Sequence, residues 1–88
     1  SLHAVAARAV RALQQIKSRH ARATIVVVSH ASVNRVILAL CLNMPRSSYW
    51  RLVQAPCCIN EIEYDDSRVR VHLVNDASHL PAATASPE

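Results

Sequence analysis

Glycine is absent from this sequence, and so is phenylalanine. With no Gly there is no flexible loop to cradle a phosphate or dinucleotide, which excludes P-loop and dinucleotide-binding sites. No helix can end on a Gly either. The aromatic complement is one Trp and two Tyr, so large ring anchors are few. Long apolar runs are also missing. Val36 to Leu42 is the longest, far short of the roughly 20 residues that cross a bilayer, and nothing resembles a signal peptide. A soluble, cytoplasmic chain is expected, with no membrane partner. The sequence opens on Ser1 rather than Met, with Leu2 already inside a helical pattern, so a boundary or a cut is expected there.

Three cysteines, Cys41, Cys57 and Cys58, make an odd count with one adjacent pair. That is unlike the spaced framework of a secreted disulfide domain, and reduced thiols are expected. The pair also lacks the spacing with which several ligands converge on zinc, so no metal is expected.

What is present reads as globular. The chain has 88 residues, 51% hydrophobic and 18% charged, and Ala and Val abound, as in helices packed on strands. A chain of this length buries only about 60 to 65% of its unfolded surface, so its core is expected to be marginal. The net charge of +4 comes largely from scattered arginines, with a looser group at Arg8, Arg11, Lys17, Arg19 and Arg22. That group reads either as a solvated helix face or as a surface that attracts phosphorylated substrates. Nucleic acid is the less favoured partner, because no basic run carries interleaved aromatics.

From Leu2 to Ile16 the residues Leu2, Val5, Ala9, Ala12, Leu13 and Ile16 recur at steps of three or four, which predicts an amphipathic helix continuing to Arg19. Thr24 to Ser29 is a β-branched run without alternation, the pattern of a strand buried on both faces of a parallel sheet. Ser32 is placed to cap a second helix with Val33, Val36, Ile37, Leu40 and Cys41 on its apolar face, ended by Asn43-Met44-Pro45. Pro45 to Trp50 suits one short helical turn.

The last third reads as a β-hairpin, Cys57 to Tyr64 and Val69 to Val74, turning at Asp65-Asp66-Ser67-Arg68. Ile59 and Ile62 differ in parity, which permits a bulge or a slipped register and leaves the packing face of the first strand open. Residues 1–80 are expected to form the folded unit and 81–88, small, polar and bounded by prolines, a disordered tail.

The junction Val26-Val27-Val28-Ser29-His30-Ala31-Ser32 is where chemistry is expected. Ligands of open α/β sheets bind beyond the carboxyl ends of strands, where the next helix offers free N–H groups and a positive dipole end. A histidine there can hold a phosphate oxygen as a cation or hydrogen-bond a developing charge. The plainer reading is a histidine that only caps a helix.

The wider pattern carries more. Val-Val-Val-Ser-His-Ala-Ser-Val-Asn-Arg, then Asn-Met-Pro, Tyr-Trp-Arg-Leu, an Ile-Asn-Glu-Ile-Glu-Tyr strand and a closing Asn-Asp-Ala-Ser-His-Leu resemble, in order and spacing, the histidine phosphatase (phosphoglycerate mutase-like) superfamily from about Leu2 to Leu80. The resemblance implies part of a three-layer α/β fold: helix, parallel strand, helix and C-terminal β-hairpin. It also implies phosphoryl transfer from a small phosphorylated metabolite through a phosphohistidine, with no metal or organic cofactor.

His30 matches the family's second active-site histidine, with Ala31 and Ser32 as candidate phosphate-binding positions. Ala31 stands where the family usually has Gly, which bears on how closely that N–H can approach a phosphate. The nucleophile's Arg-His-Gly motif, a later arginine and the acidic proton donor have no counterpart, and are expected upstream of Ser1. Arg19-His20-Ala21 mimics the motif but follows a helix rather than a strand.

The remaining candidates read more simply. His79 matches the closing signature and is expected to be structural; His72 and His3 are expected at the surface, and Arg35 is expected to pair with a local carboxylate. Asn34 and Ser32 are candidates for orienting the loop. Cys57 and Cys58 read as small buried side chains, and Glu61, Glu63, Asp65 and Asp66 as an exposed strand edge and turn.

Three functions remain open on the sequence. The first is a phosphatase or phosphomutase fragment, inactive alone and completed by further chain or another polypeptide. The second is a non-catalytic half-domain that acts through homo-oligomerisation or a partner chain. Nucleic-acid binding through the first helix is the third.

Overall fold

The architecture comes from a computed structural model that describes residues 1–65 and 67–81. Helix α1 spans Leu2–Arg19 and helix α2 spans Ala31–Cys41. A 3₁₀ turn follows at Arg46–Arg51, then strands β1, Ile59–Asp65, and β2, Arg68–Asp76, which pair antiparallel. The turn residue Asp66 and the expected tail beyond Pro81 lie outside the described residues.

Local chemistry accounts for the helix limits. Ser1 caps α1 by accepting a hydrogen bond from the Ala4 N–H at 3.2 Å, satisfying one of the free donors of the first turn. Lys17 and Arg19 occupy the last turn, where cations suit the negative end of the dipole. At the start of α2 the cap residue is His30, not Ser32 as the sequence suggests, and it supplies no side-chain cap. Pro45 precedes the 3₁₀ turn, its fixed φ suiting entry to a helical segment.

The core is thin. Ala6 and Ala9 of α1 meet the α2 layer of Val36, Leu38 and Ala39, and among the described residues Leu38 is the one large side chain almost wholly buried. Arg35 fixes the end of the 3₁₀ turn to α2: its Nε donates to the Leu52 carbonyl at 2.8 Å. The radius of gyration is 14.0 Å, wider than the ~12 Å of a compact domain this long.

With no glycine in the chain, left-handed backbone falls on other residues. Arg22, Asn43, Cys57 and Asn75 all have φ between 56° and 61°. Asn tolerates this conformation, whereas Arg and Cys bear a Cβ clash.

The expected buried strand departs most from its sequence reading. Thr24 to Ser29 pairs with no strand among the described residues, where the only sheet is β1 with β2. Val26 and Val28 are 86% and 92% exposed. The β-branched run makes a strand favourable, but a strand also needs a ladder partner, and none lies alongside. The fold is therefore mixed helix and antiparallel hairpin, α/β in character, and among the described residues the parallel strand that the resemblance implies is not formed.

The hairpin has an irregularity of the kind its parity permits. Register shifts occur between Ile59 and Glu61 and between Glu61 and Ile62. Asn60 accounts for them: its side-chain oxygen accepts the Asn75 N–H at 2.9 Å, so a side chain replaces a rung of the ladder. From there Asn60, Ile62 and Tyr64 face inward and Glu61, Glu63 and Asp65 face water.

Among the described residues no helix is long and apolar enough to cross a membrane.

Candidate functional site

His30 stands at the entry to α2 in extended backbone conformation, φ −94° and ψ 156°. Its carbonyl accepts the Asn34 N–H at 2.9 Å, the first bond of the helix. The N–H groups of Ala31, Ser32 and Val33 precede that bond and belong to the open end of the helix. His30, Ala31 and Ser32 are all exposed. The helix dipole adds partial positive charge there, so the end is suited to an anion.

An open groove of about 1550 Å³ runs beside this position. Residues 20–31 form one wall and residues 54–65 the other, and Asn34, Ile37 and Leu38 of α2 contribute to its lining. His30, Ala31 and Asn34 line it; Ser32 and Arg35 do not. The arrangement offers an exposed imidazole and a helix N-terminus at the border of a wide cleft.

The other sequence candidates fall outside this constellation or serve the fold. Arg19 closes α1 and His20 is its C-cap, donating its N–H to the Ile16 carbonyl at 3.1 Å, so Arg19-His20-Ala21 follows a helix and no strand. His72 bonds Glu63 at 2.8 Å across the outer face of the hairpin. His79 is exposed in the turn after β2, and His3 lies against Arg46. Arg35 does not meet the local carboxylate expected of it: its partner is the Leu52 carbonyl, seventeen residues on.

Cys57 is exposed and not buried as the sequence suggested, because its left-handed backbone puts it at a turn. Among the described residues no group of three or more His, Cys, Asp or Glu is placed to hold a metal ion.

The groove wall is stiffened by a polar cluster that the sequence reading missed. Gln54 is 7% exposed, and its amide exchanges two hydrogen bonds with that of Asn60, at 2.8 and 2.6 Å. The Cys58 thiol donates to the same Gln54 oxygen at 3.3 Å. Asn75 accepts the Ala55 N–H at 2.8 Å. No buried side-chain polar atom of the described residues lacks a partner, so the cluster rigidifies the turn without a desolvation penalty. Its sequence signal was available: two Asn within strands, where Asn is disfavoured.

A second missed grouping joins α1, α2 and β1. The Tyr64 hydroxyl lies 3.5 Å from the Cys41 sulfur, and the Lys17 ammonium sits 4.5 Å from the ring centre. Burial, with the Cys41 contact adding to it, pushes the Tyr64 hydroxyl well above the ordinary phenol range.

A family model of the histidine phosphatase superfamily (branch 1) matches residues 1–77. No curated protein and no solved structure matches the chain.

Proposed function

The chain belongs to the histidine phosphatase superfamily, and from that premise we propose that it is the part of a phosphoryl-transfer domain that carries the second active-site histidine, His30. In this reading the imidazole holds a phosphoryl oxygen of a small phosphorylated metabolite, with the N–H groups of Ala31 and Ser32 as further donors. The observation that carries it is the exposed His30 at the open N-terminus of α2, bordering the groove. A helix N-terminus and an exposed imidazole able to donate a hydrogen bond together suit a phosphate.

The nucleophile is a different matter. A sequence without Gly holds no Arg-His-Gly motif, so the attacking histidine comes from chain outside this sequence, preceding it or in another polypeptide. This chain by itself is then inactive.

The test is hydrolysis of a chromogenic aryl phosphate in metal-free buffer by the chain and by His30→Ala, with His side-chain NMR of the chain during addition of inorganic phosphate. No turnover in either protein, together with His30 ring resonances that move with phosphate, is the expected result. Turnover abolished by His30→Ala would show a site completed without the familiar nucleophile and overturn the account of inactivity. His30 resonances indifferent to phosphate would overturn the assignment of the site.

A second reading is supported by the exposure of Val26 and Val28. A non-catalytic half-domain would cover that surface by self-association or with a partner chain. Sedimentation at micromolar concentration distinguishes it: a dimer is expected, and a well-folded monomer counts against it.

A further inference from the structure

The charge of this chain is divided along its length. Residues 1–60 contain eight Lys and Arg and no Asp or Glu; all six carboxylates lie from Glu61 onward. Both helices and the 3₁₀ turn thus carry cations and no carboxylate, while the hairpin region from Glu61 to Asp76 holds five of the six carboxylates beside Arg68 and Arg70. Such asymmetry is a signature of association with a polyanion.

The structure shows which cations remain available. Among the described residues the one ion pair joins His72 to Glu63. Arg35 is held by the Leu52 carbonyl, Arg46 by His3, Arg51 by the Trp50 ring and Lys17 by Tyr64. Arg8, Arg11 and Arg19 are exposed on α1 and make no such contact among the described residues.

These three share one side of the helix. Arg8 and Arg19 are eleven residues apart, which is about three turns, so they point within about 20° of each other and stand about 16 Å apart along the axis. The exposed Gln15 lies between them, and Arg11 is offset by about 60°. The buried Ala6 and Ala9 and the half-buried Leu13 lie on the opposite side of α1. The result is a row of guanidinium groups along the outer surface that no carboxylate of the described residues pairs with.

We propose that this outer face of α1 binds the phosphate backbone of duplex nucleic acid without reading its sequence. Guanidinium groups bind phosphate oxygens in bidentate fashion, and a row about 16 Å long spans several phosphates of one strand. A membrane surface is a poorer fit, because the apolar side of α1 is spent on the protein core and cannot enter lipid. Single strands are also disfavoured, since no aromatic accompanies the arginines on α1 to stack bases.

The test uses the full chain, with a fluorescently labelled duplex of about 20 base pairs, followed by anisotropy from about 50 to 200 mM salt. Micromolar binding at the low end is expected, weakening steeply as salt rises. Replacing Arg8, Arg11 and Arg19 together by Gln should weaken binding at least tenfold and lower the log–log salt slope by about 2 to 3, since each phosphate contact contributes about 0.9.

The corresponding triple Lys variant should keep most of the binding, and Arg68→Gln with Arg70→Gln should leave it unchanged. Unaltered helical circular dichroism in the triple Gln variant separates lost binding from lost fold. Several results would overturn the proposal: no binding at low salt, an unaffected triple Gln variant, equal loss from the hairpin pair, or binding to phosphatidylserine vesicles but not to the duplex.

Discussion

Tyr64 of β1 and Cys41 of α2 meet with 3.5 Å between hydroxyl oxygen and thiol sulfur, joining the hairpin to the second helix. The same ring lies beneath Lys17 of α1, so one tyrosine touches all three main elements.

That position makes stability sensitive to alkali. Burial and the Cys41 contact hold the Tyr64 hydroxyl above its ordinary value. A raised folded-state value means the unfolded chain loses this proton first. The contribution is therefore complete below about pH 10, the unfolded phenol value, and declines as pH rises beyond it. Urea unfolding at pH 8 and 10.5 should show the decline. Tyr64→Phe should remove that part of it and cost about 1 kcal/mol at pH 8; an unchanged alkaline profile would refute the assignment.

Asp76 titrates in the opposite sense. The Ser78 N–H donates to its carboxylate at 3.0 Å, and that backbone bond first, then the Ser78 hydroxyl, holds the carboxyl below the usual Asp range. Stabilisation from this carboxylate is present above the unfolded value and lost as pH falls through the depressed one. Carbon-13 titration of the side chain should find the depression and should find most of it surviving in Ser78→Ala, which keeps the backbone donor. An ordinary Asp titration in the parent chain would contradict the contact.

The amide cluster is the point where one polar substitution should do most damage. Gln54→Ala leaves Asn60 and the Cys58 thiol without their partner in a part-buried setting, at a cost of about 1 to 3 kcal/mol. Urea midpoints would measure it. A loss below a few tenths of a kcal/mol would mean that water replaces Gln54 freely.

Backbone strain offers a gain instead. Cys57→Gly relieves a left-handed residue with a Cβ, worth about 1 kcal/mol before the greater freedom of unfolded Gly offsets part of it. Asn43→Gly should gain less, because Asn tolerates this conformation. Melting temperatures should rank the Cys57 variant above the Asn43 variant; the reverse order would count against strain at Cys57.

Much of the helical structure was legible because its signals are local. Leu2, Val5, Ala9, Leu13 and Ile16 mark one side of α1 by spacing alone, and the observed helix ends at Arg19 as expected. The parity conflict between Ile59 and Ile62 left room for the hairpin irregularity without deciding it. Its agent, Asn60, was not legible, since the bond it makes reaches Asn75, fifteen residues away. The cap of α2 was misplaced by two residues because Ser32 is a better cap chemically than His30, and only the observed backbone shows where the turn begins.

For the candidate site, His30 was singled out from its junction and from the family pattern, and the structure places it at the mouth of α2. The groove beside it could not be read from sequence, because its walls come from segments more than twenty residues apart.

Residue type, spacing and order were enough to mark the helices, the hairpin, the family and the confinement of every carboxylate to Glu61 and beyond. Tertiary structure alone decided that Thr24 to Val28 stands exposed, that Gln54, Asn60 and Asn75 converge, and that Tyr64 lies between Lys17 and Cys41. A strand, a polar cluster or a perturbed hydroxyl exists only through neighbours, and those neighbours are set by packing between segments distant in the chain.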